Sequence, residues 1–222
     1  MKAMILAAGR GERMRPLSDV TPKPMLTAGG KPLIVWNLER LRDGGIREIV
    51  INHAHLGEQI ESALGNGARF GVSIRYSAEA EALETAGGIA KALALLGDEA
   101  FIAAAGDIYS DYDFTRLCAH LLRGNMAHLV LVPNPPHNLA GDFALDGTVL
   151  RNQGASRYTF SGIGLYDPRL FAGVASGSRH KLAPLLRAAA DAGKASGELY
   201  TGAWVDIGTP DRLASLDREL SH

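Results

Sequence analysis

Ala3-Met4-Ile5-Leu6-Ala7-Ala8-Gly9-Arg10-Gly11-Glu12-Arg13-Met14-Arg15-Pro16-Leu17-Ser18, with Pro22-Lys23-Pro24 after three more residues, is the stretch from which the rest of the chain is read. The apolar run Ala3 to Ala8 ends in glycine and suits a strand buried on both faces. Gly9 and Gly11 lack a Cβ, so the backbone there can turn sharply and approach a ligand closely. Successive free N–H groups in such a turn make a concave anion site. Residues 1–31 carry Lys2, Arg10, Arg13, Arg15, Lys23 and Lys31 against Glu12 and Asp19, a local excess of four cations on a chain of net charge −1. A glycine turn at a strand end with this excess points to phosphate binding.

Two familiar phosphate motifs are excluded. A dinucleotide fingerprint needs a third glycine where Met14 stands and a helix opening directly behind it. Pro16, Pro22 and Pro24 break any such helix. The G-x-x-x-x-G-K-[ST] loop fails because Pro32 follows Gly30-Lys31. What remains, Leu6 to Ser18 followed by Pro22-Lys23-Pro24, resembles the L-A-A-G-x-G-x-R-M-x-P-L-[ST]…P-K-P signature of the sugar-1-phosphate nucleotidyltransferases. A lone G-x-G would be an ordinary βα turn; Arg13 and Pro-Lys-Pro lift the match above that.

Length and composition set outer bounds. The 222 residues allow one α/β domain or two small ones, and 46% hydrophobic with 21% charged content is ordinary for a globular protein. A sequence pI near 6.7 argues against a nucleic-acid partner. No apolar stretch reaches the roughly 18 residues of a membrane span, and the N-terminus lacks a signal-peptide layout. The single cysteine, Cys118, reads as a buried structural thiol. A cytoplasmic protein with no membrane partner is expected.

Working along the chain, the periodicity predicts a helix from Pro32 with Ile34, Leu38 and Leu41 on one face, stopped by Gly44-Gly45. A strand follows at 46–52, a helix at 55–64, a short strand at 72–77, a helix at 85–96 and an apolar, central strand at 101–105. This alternation implies parallel βαβ units, with ligands beyond the carboxyl ends of the strands. Gly9, Asn52, Glu79 and Asp107 should therefore share one rim. The second half predicts a helix at 113–122, a strand at 127–132, a hairpin around Asp146-Gly147 and a strand at 158–166. A helix at 181–192, a short strand at 202–207 and a helix opened by Pro210 complete it. One domain, 1–222, is expected, with a nucleotide-binding half to about residue 110 and a sugar-binding half beyond.

The resemblance adds fold and roles. It implies a Rossmann-like three-layer sandwich with a mostly parallel mixed sheet. It implies that a sugar phosphate oxygen attacks the α-phosphorus of a nucleoside triphosphate and pyrophosphate leaves. Arg13 and Lys23 are the expected catalytic cations. Ala7, Ala8, Gly9, Gly11, Glu12, Arg13, Lys23, Glu79, Thr85 and Gly88 are the expected nucleotide contacts, with Glu79 reading the base edge or else lying in a solvated acidic loop. Asp107, after the central strand, and Asp206, in Trp204-Val205-Asp206-Ile207-Gly208-Thr209, match the two family aspartates that hold Mg²⁺. By themselves, Asp107 would be a turn residue, and Asp206 a carboxylate in an apolar run that needs a partner. Asp111 and Asp113 read as surface or capping residues.

Gly106, Asp142, Gly162 and Lys181 are the expected sugar contacts. Gly162 lies in Phe160-Ser161-Gly162-Ile163, which matches the family strand passing beneath the hexose. The family's Glu-Lys-Pro lysine is absent, since the region reads Arg151-Asn152-Gln153-Gly154. Lys181 or Arg157 is the expected substitute. Segments along essentially the whole chain, among them Leu83-Glu84-Thr85-Ala86-Gly87-Gly88-Ile89 and Lys181-Leu182-Ala183-Pro184-Leu185-Leu186-Arg187, are similar to the uridylyltransferases of peptidoglycan recycling. UTP and a sugar 1-phosphate are thereby implied as partners, in a monomer or homodimer. Residue chemistry itself leaves guanosine or thymidine bases, other hexoses and a non-catalytic nucleotide-sugar sensor open.

Overall fold

The computed structural model describes residues 1–221. Its strands are β1 (Ala3–Leu6), β2 (Thr27–Ala28), β3 (Lys31–Pro32), β4 (Glu48–His53), β5 (Ser73–Ala78), β6 (Phe101–Ala105), β7 (Ile108–Ser110) and β8 (Ala127–Val132). They continue with β9 (Phe143–Asp146), β10 (Val149–Arg151), β11 (Arg157–Tyr166), β12 (Ala195–Leu199) and β13 (Trp204–Asp206). The helices are α1 (Leu17–Val20), α2 (Leu33–Asp43), α3 (Gly57–Leu64), α4 (Glu84–Leu96), α5 (Thr115–Ala119), α6 (Leu182–Asp191) and α7 (Pro210–Leu220).

Nine strands form one mixed sheet in the order β5-β4-β1-β6-β11-β8-β12-β10-β9. The first four are parallel, β11 runs against β6 and β8, and β12 is parallel to β8. A bulge between Phe160 and Ile163 splits β11, whose first residues pair instead with β9. The expected parallel βαβ half and mixed continuation are both present. One sheet spans the two halves of the chain.

Side-chain alternation makes the three layers. In β1, Ala3 and Ile5 point to one face with Ile102 and Ala104 of β6, and there they meet Ile34, Leu38 and Leu41 of α2 and Ile60 and Leu64 of α3. Met4, Phe101 and Ala103 point to the other face, against Ile89, Ala92 and Leu96 of α4 and Leu182 and Leu186 of α6. Strands apolar at every position must be covered on both sides, and these are. A third, smaller cluster joins Met14, Leu26 and Leu33 to Ile207 and Leu216, so α7 folds back beneath the N-terminal loop. The Gly29 N–H donates to Asp217 Oδ1 at 2.8 Å on the same seam.

Two expectations are corrected and one strand is added. The helix expected over 113–122 is only Thr115–Ala119, and its chain leaves the axis at His120 with an extended backbone. The strand expected over 202–207 is only Trp204–Asp206, paired with β7 rather than joining the main sheet. The segment Ala195–Leu199 gives no strand signal, because Ser196, Gly197 and Glu198 are poor strand formers. It is nevertheless an interior strand, held between β8 and β10.

Asp113 caps the turn before α5, accepting from the Thr115 N–H and hydroxyl. The His53 ring meets Glu61 Oε1 at 2.6 Å and His55 meets the Ser18 carbonyl at 3.1 Å, so both histidines are structural. Cys118 is half-buried, its thiol 3.4 Å from the Gly44 carbonyl and pushed upward in pKa chiefly by burial. No helix of the described residues is long and apolar enough to cross a membrane.

Candidate active site

A cavity of about 700 Å³ opens beyond the carboxyl ends of β1, β4 and β6. Its wall takes the N-terminal loop from Leu6 to Met14, then Lys23, Pro24, Asn52, Thr85, Ala105, Asp107 and Gly208. Of the expected nucleotide contacts, Ala7, Ala8, Gly9, Gly11, Glu12, Arg13, Lys23 and Thr85 all line it.

The loop's shape follows from its glycine and its anchors. Gly11 sits at φ +68°, which L residues rarely adopt, and leads into the short 3₁₀ turn Glu12–Met14. Its carbonyl accepts from Ser18 Oγ at 2.7 Å, and the buried Met14 pins the far end into the α7 cluster. The Lys23 stem crosses directly over Gly11, where an added Cβ would lie 3.0 Å from Lys23 Cβ. Lys23 is 9% exposed, and its ammonium pairs with Asp107 Oδ2. That partner makes a buried ammonium tolerable here.

Asp107 lines the cavity and Asp206 does not, but a two-stranded ribbon brings their backbones side by side. Asp206 is in register with Ile108, and the Ile207 N–H donates to the Asp107 carbonyl at 3.0 Å. The Asp206 carboxylate pairs with the Arg212 guanidinium and lies 3.0 Å from His137 Nε2. Gly208 completes this corner: a Cβ there would sit 3.2 Å from an Arg13 guanidinium nitrogen, and Arg212 leaves it no room. No cluster of three or more histidine, cysteine or acidic side chains suited to a metal exists among the described residues.

Glu79 does not line the cavity. It is 5% exposed, and both carboxylate oxygens are used inside the protein. Oε1 accepts from Asn52 Nδ2 at 2.7 Å and Oε2 from the Leu83 N–H at 2.8 Å, while Asn52 Oδ1 accepts from the Ala7 N–H at 3.0 Å. Glu79 therefore ties the end of β1, through Asn52, to the loop before α4. Gly88 lies against this strut, since a Cβ there would fall 2.7 Å from both Asn52 Nδ2 and Glu79 Oε1. The wall in front of Glu79 is made by Asn52, Ala82, Glu84 and Thr85.

The expected sugar contacts are scattered. Gly106 packs behind the wall with its N–H on the Leu6 carbonyl at 2.8 Å. Gly162, at φ +84° in the β11 bulge, abuts Ala105, which does line the cavity. Asp142 Oδ2 accepts from the Phe160 N–H at 2.9 Å and from Asn138 Nδ2 at 3.2 Å, which locks the Pro-rich loop after β8 onto β11. Arg157 donates to the Asp142 carbonyl at 2.9 Å, and Lys181 is exposed just before α6. None of Asp142, Arg157 and Lys181 reaches the cavity wall.

Arg179 does reach it, beside Ala82 and Glu84, and nothing in its sequence context singles it out. The adjacent His180 carbonyl accepts the Ala86 and Gly87 N–H groups at 3.0 and 3.1 Å, and the His180 N–H donates to Leu83 at 2.9 Å. The free N–H groups of Ala86 and Gly87 in the first turn of α4 thus find a partner in a segment distant in sequence, which no local pattern encodes.

Comparison with known proteins gives a consistent setting. The Nucleotidyl transferase family matches residues 2–222. The chain is 55% identical over 220 residues to the N-acetylmuramate alpha-1-phosphate uridylyltransferase of Neisseria meningitidis serogroup B, covering 96% of this chain and 95% of that one. It is 33% identical to the UTP–glucose-1-phosphate uridylyltransferase of Synechocystis, of whose length it spans 64%. A crystal structure from Bacillus anthracis, assigned as a glucose-1-phosphate thymidylyltransferase in complex with a sucrose, shares the fold. Its TM-score is 0.88 at 24% identity, over 100% of this chain and 95% of that one.

Proposed function

Since the chain belongs to the nucleotidyl transferase family, we propose that it transfers the uridylyl group of UTP to N-acetylmuramate 1-phosphate, releasing pyrophosphate and forming UDP-N-acetylmuramate. The observation that carries this reading is the single cavity wall on which the glycine-bent loop, Arg13, Lys23, Asp107 and Thr85 converge. A match over nearly the full length of both chains to a relative bearing that activity's name supports the choice of base and sugar. The work belongs to peptidoglycan recycling in the cytoplasm, where nucleoside triphosphates are made.

A phosphate oxygen of the sugar 1-phosphate forms the new bond to the α-phosphorus, and the bond to the bridging oxygen of pyrophosphate breaks. Such a reaction asks the protein for alignment and for neutralisation of developing charge, and little covalent work. Lys23, anchored by Asp107 and stiffened against Gly11, presents a fixed cation to the α-phosphate. Arg13, beside Gly208, and the free amides of the Gly9–Arg13 turn face the leaving pyrophosphate.

Mg²⁺ fits the donors at hand. Asp107, on the cavity wall, and Asp206, one strand away on the β7–β13 ribbon, are the two hard carboxylates that would hold it, released from Lys23 and Arg212; Mg²⁺ commonly takes one or two protein carboxylates, filling its remaining positions with water and substrate phosphates. Bound there, the ion supplies positive charge to the phosphate oxygens.

The test is pyrophosphate release measured over a grid of four nucleoside triphosphates and several sugar 1-phosphates. UTP with N-acetylmuramate 1-phosphate should give the highest kcat/KM. A maximum at GTP with mannose 1-phosphate, or at a glucose 1-phosphate pair, would replace the substrate assignment. UDP-sugar binding without turnover of any pair would replace enzyme by sensor.

A further inference from the structure

Among the described residues, Arg10, Arg13, Lys23 and Arg179 are the cationic side chains on the cavity wall. The first three belong to the N-terminal phosphate loop and its Pro-Lys-Pro segment. Arg179 comes from the other half of the chain, and its setting differs. Its backbone is fixed by the His180 clasp on Leu83, Ala86 and Gly87. Its side chain is free: 73% exposed, with one contact, to Glu84 Oε1 at 3.2 Å. An exposed pair held by one such bond binds its partners weakly and exchanges readily. Glu84 itself is held at φ +60°, a conformation that costs a non-glycine residue energy and that clusters at ligand sites. A fixed backbone at Arg179, a strained backbone at Glu84 and a loosely held guanidinium therefore share one edge of the cavity.

A guanidinium resting on a carboxylate is already shaped for another carboxylate, which it can take through two parallel N–H bonds. Lys23 and Asp107 form a separate ion pair elsewhere on the wall, where the reacting phosphate must lie. The acceptor named under the proposed function carries two anionic groups: that phosphate, and the carboxylate of its 3-O-lactyl ether. Plain N-acetylglucosamine 1-phosphate has the first without the second. We infer that Arg179 leaves Glu84 to bind the lactyl carboxylate and so selects the muramyl sugar over its glucosamine parent. The inference rests on the uridylyltransferase reading above.

The experiment is steady-state kinetics of wild type, Arg179→Gln, Arg179→Lys and Glu84→Gln with N-acetylmuramate 1-phosphate and with N-acetylglucosamine 1-phosphate. Arg179→Gln should raise KM for the muramyl substrate roughly 10- to 100-fold, the loss of one charge-assisted pair. KM for UTP and for the glucosamine substrate should stay within about two-fold, on the same basis that neither contacts this group. Arg179→Lys should recover part of the muramyl affinity. Glu84→Gln should lower the muramyl KM, because it removes the competing carboxylate; a merely structural role would raise it. Equal losses on both sugars would make Arg179 a phosphate ligand and overturn the inference, as would a wild-type preference for the muramyl sugar that survives Arg179→Gln. A wild-type enzyme that prefers the glucosamine substrate, or uses neither, would instead overturn the substrate reading on which the inference rests.

Discussion

Replacing Glu79 by Gln separates a strut from a base reader. The side chain is buried, and each carboxylate oxygen takes one internal donor: Asn52 Nδ2 at 2.7 Å and the Leu83 N–H at 2.8 Å. Gln keeps the shape but turns one of these acceptors into an NH₂ group. Whichever way the amide faces, one buried N–H meets another donor. Leaving a buried donor unsatisfied costs about 1–3 kcal/mol. For a chain of this length each kcal/mol lowers Tm by about 2–4 °C, so the expected drop is about 2–12 °C. The same change slackens the link through Asn52 to the Ala7 N–H, so kcat/KM for UTP should fall together with Tm. Differential scanning fluorimetry and UTP kinetics on the same preparation provide both readouts. An unchanged Tm with a raised KM for UTP alone would refute the strut and return Glu79 to direct contact with the base.

Lys23→Ala removes the stem that crosses Gly11 together with its ammonium and leaves Asp107 unpaired; kcat should fall about 10²- to 10³-fold in a pyrophosphate-release assay, and a change under three-fold would exclude Lys23 from the reaction. Asp107→Asn and Asp206→Asn should each weaken Mn²⁺ binding in the presence of UTP, followed by electron paramagnetic resonance; unaltered Mn²⁺ affinity in both would remove them as metal ligands. Gly87→Ala puts a methyl group into the Ser178 carbonyl and 3.1 Å from the His180 nitrogen, so it should push the 178–180 segment off α4 and raise KM for the sugar substrate; wild-type kinetics would show the clasp to be dispensable. His128 is buried with Nδ1 2.9 Å from Ser196 Oγ, and burial foremost, then the His120 ring beside it and Arg116, lowers its pKa to about 4. The unfolded chain, near 6.5, therefore binds the proton first, so stability is lost as pH falls from about 6.5 towards 4. The loss should reach about 2–3 kcal/mol by pH 4.5. Urea unfolding at pH 7 and pH 4.5 should show this loss in wild type and a smaller one in His128→Gln; equal losses would dismiss His128 as its source.

Much of the molecule is legible along the chain. The unbroken apolar runs Ala3–Leu6 and Phe101–Ala105 require cover on both faces, and helices of matching period stand between the strands, so the layered parallel half follows from local pattern. The phosphate loop is equally local, because the glycines, Arg13 and Pro-Lys-Pro lie within 24 residues and owe their conformation to one another. What tertiary structure alone decides is pairing between distant segments. Asp206 reaches Asp107 only because β13 lies on β7 and α7 packs on Met14 and Leu33. Glu79, a side chain with two unfilled acceptors, could have faced either solvent or protein until Asn52 and Leu83 were placed beside it. Arg179 has no motif around it; it stands at the cavity because a carbonyl one residue away caps the start of α4. Backbone periodicity is short-ranged and written in consecutive residues. Which donor meets which acceptor across the sheet depends on the path of the whole chain, and it was the folded chain that set those pairs.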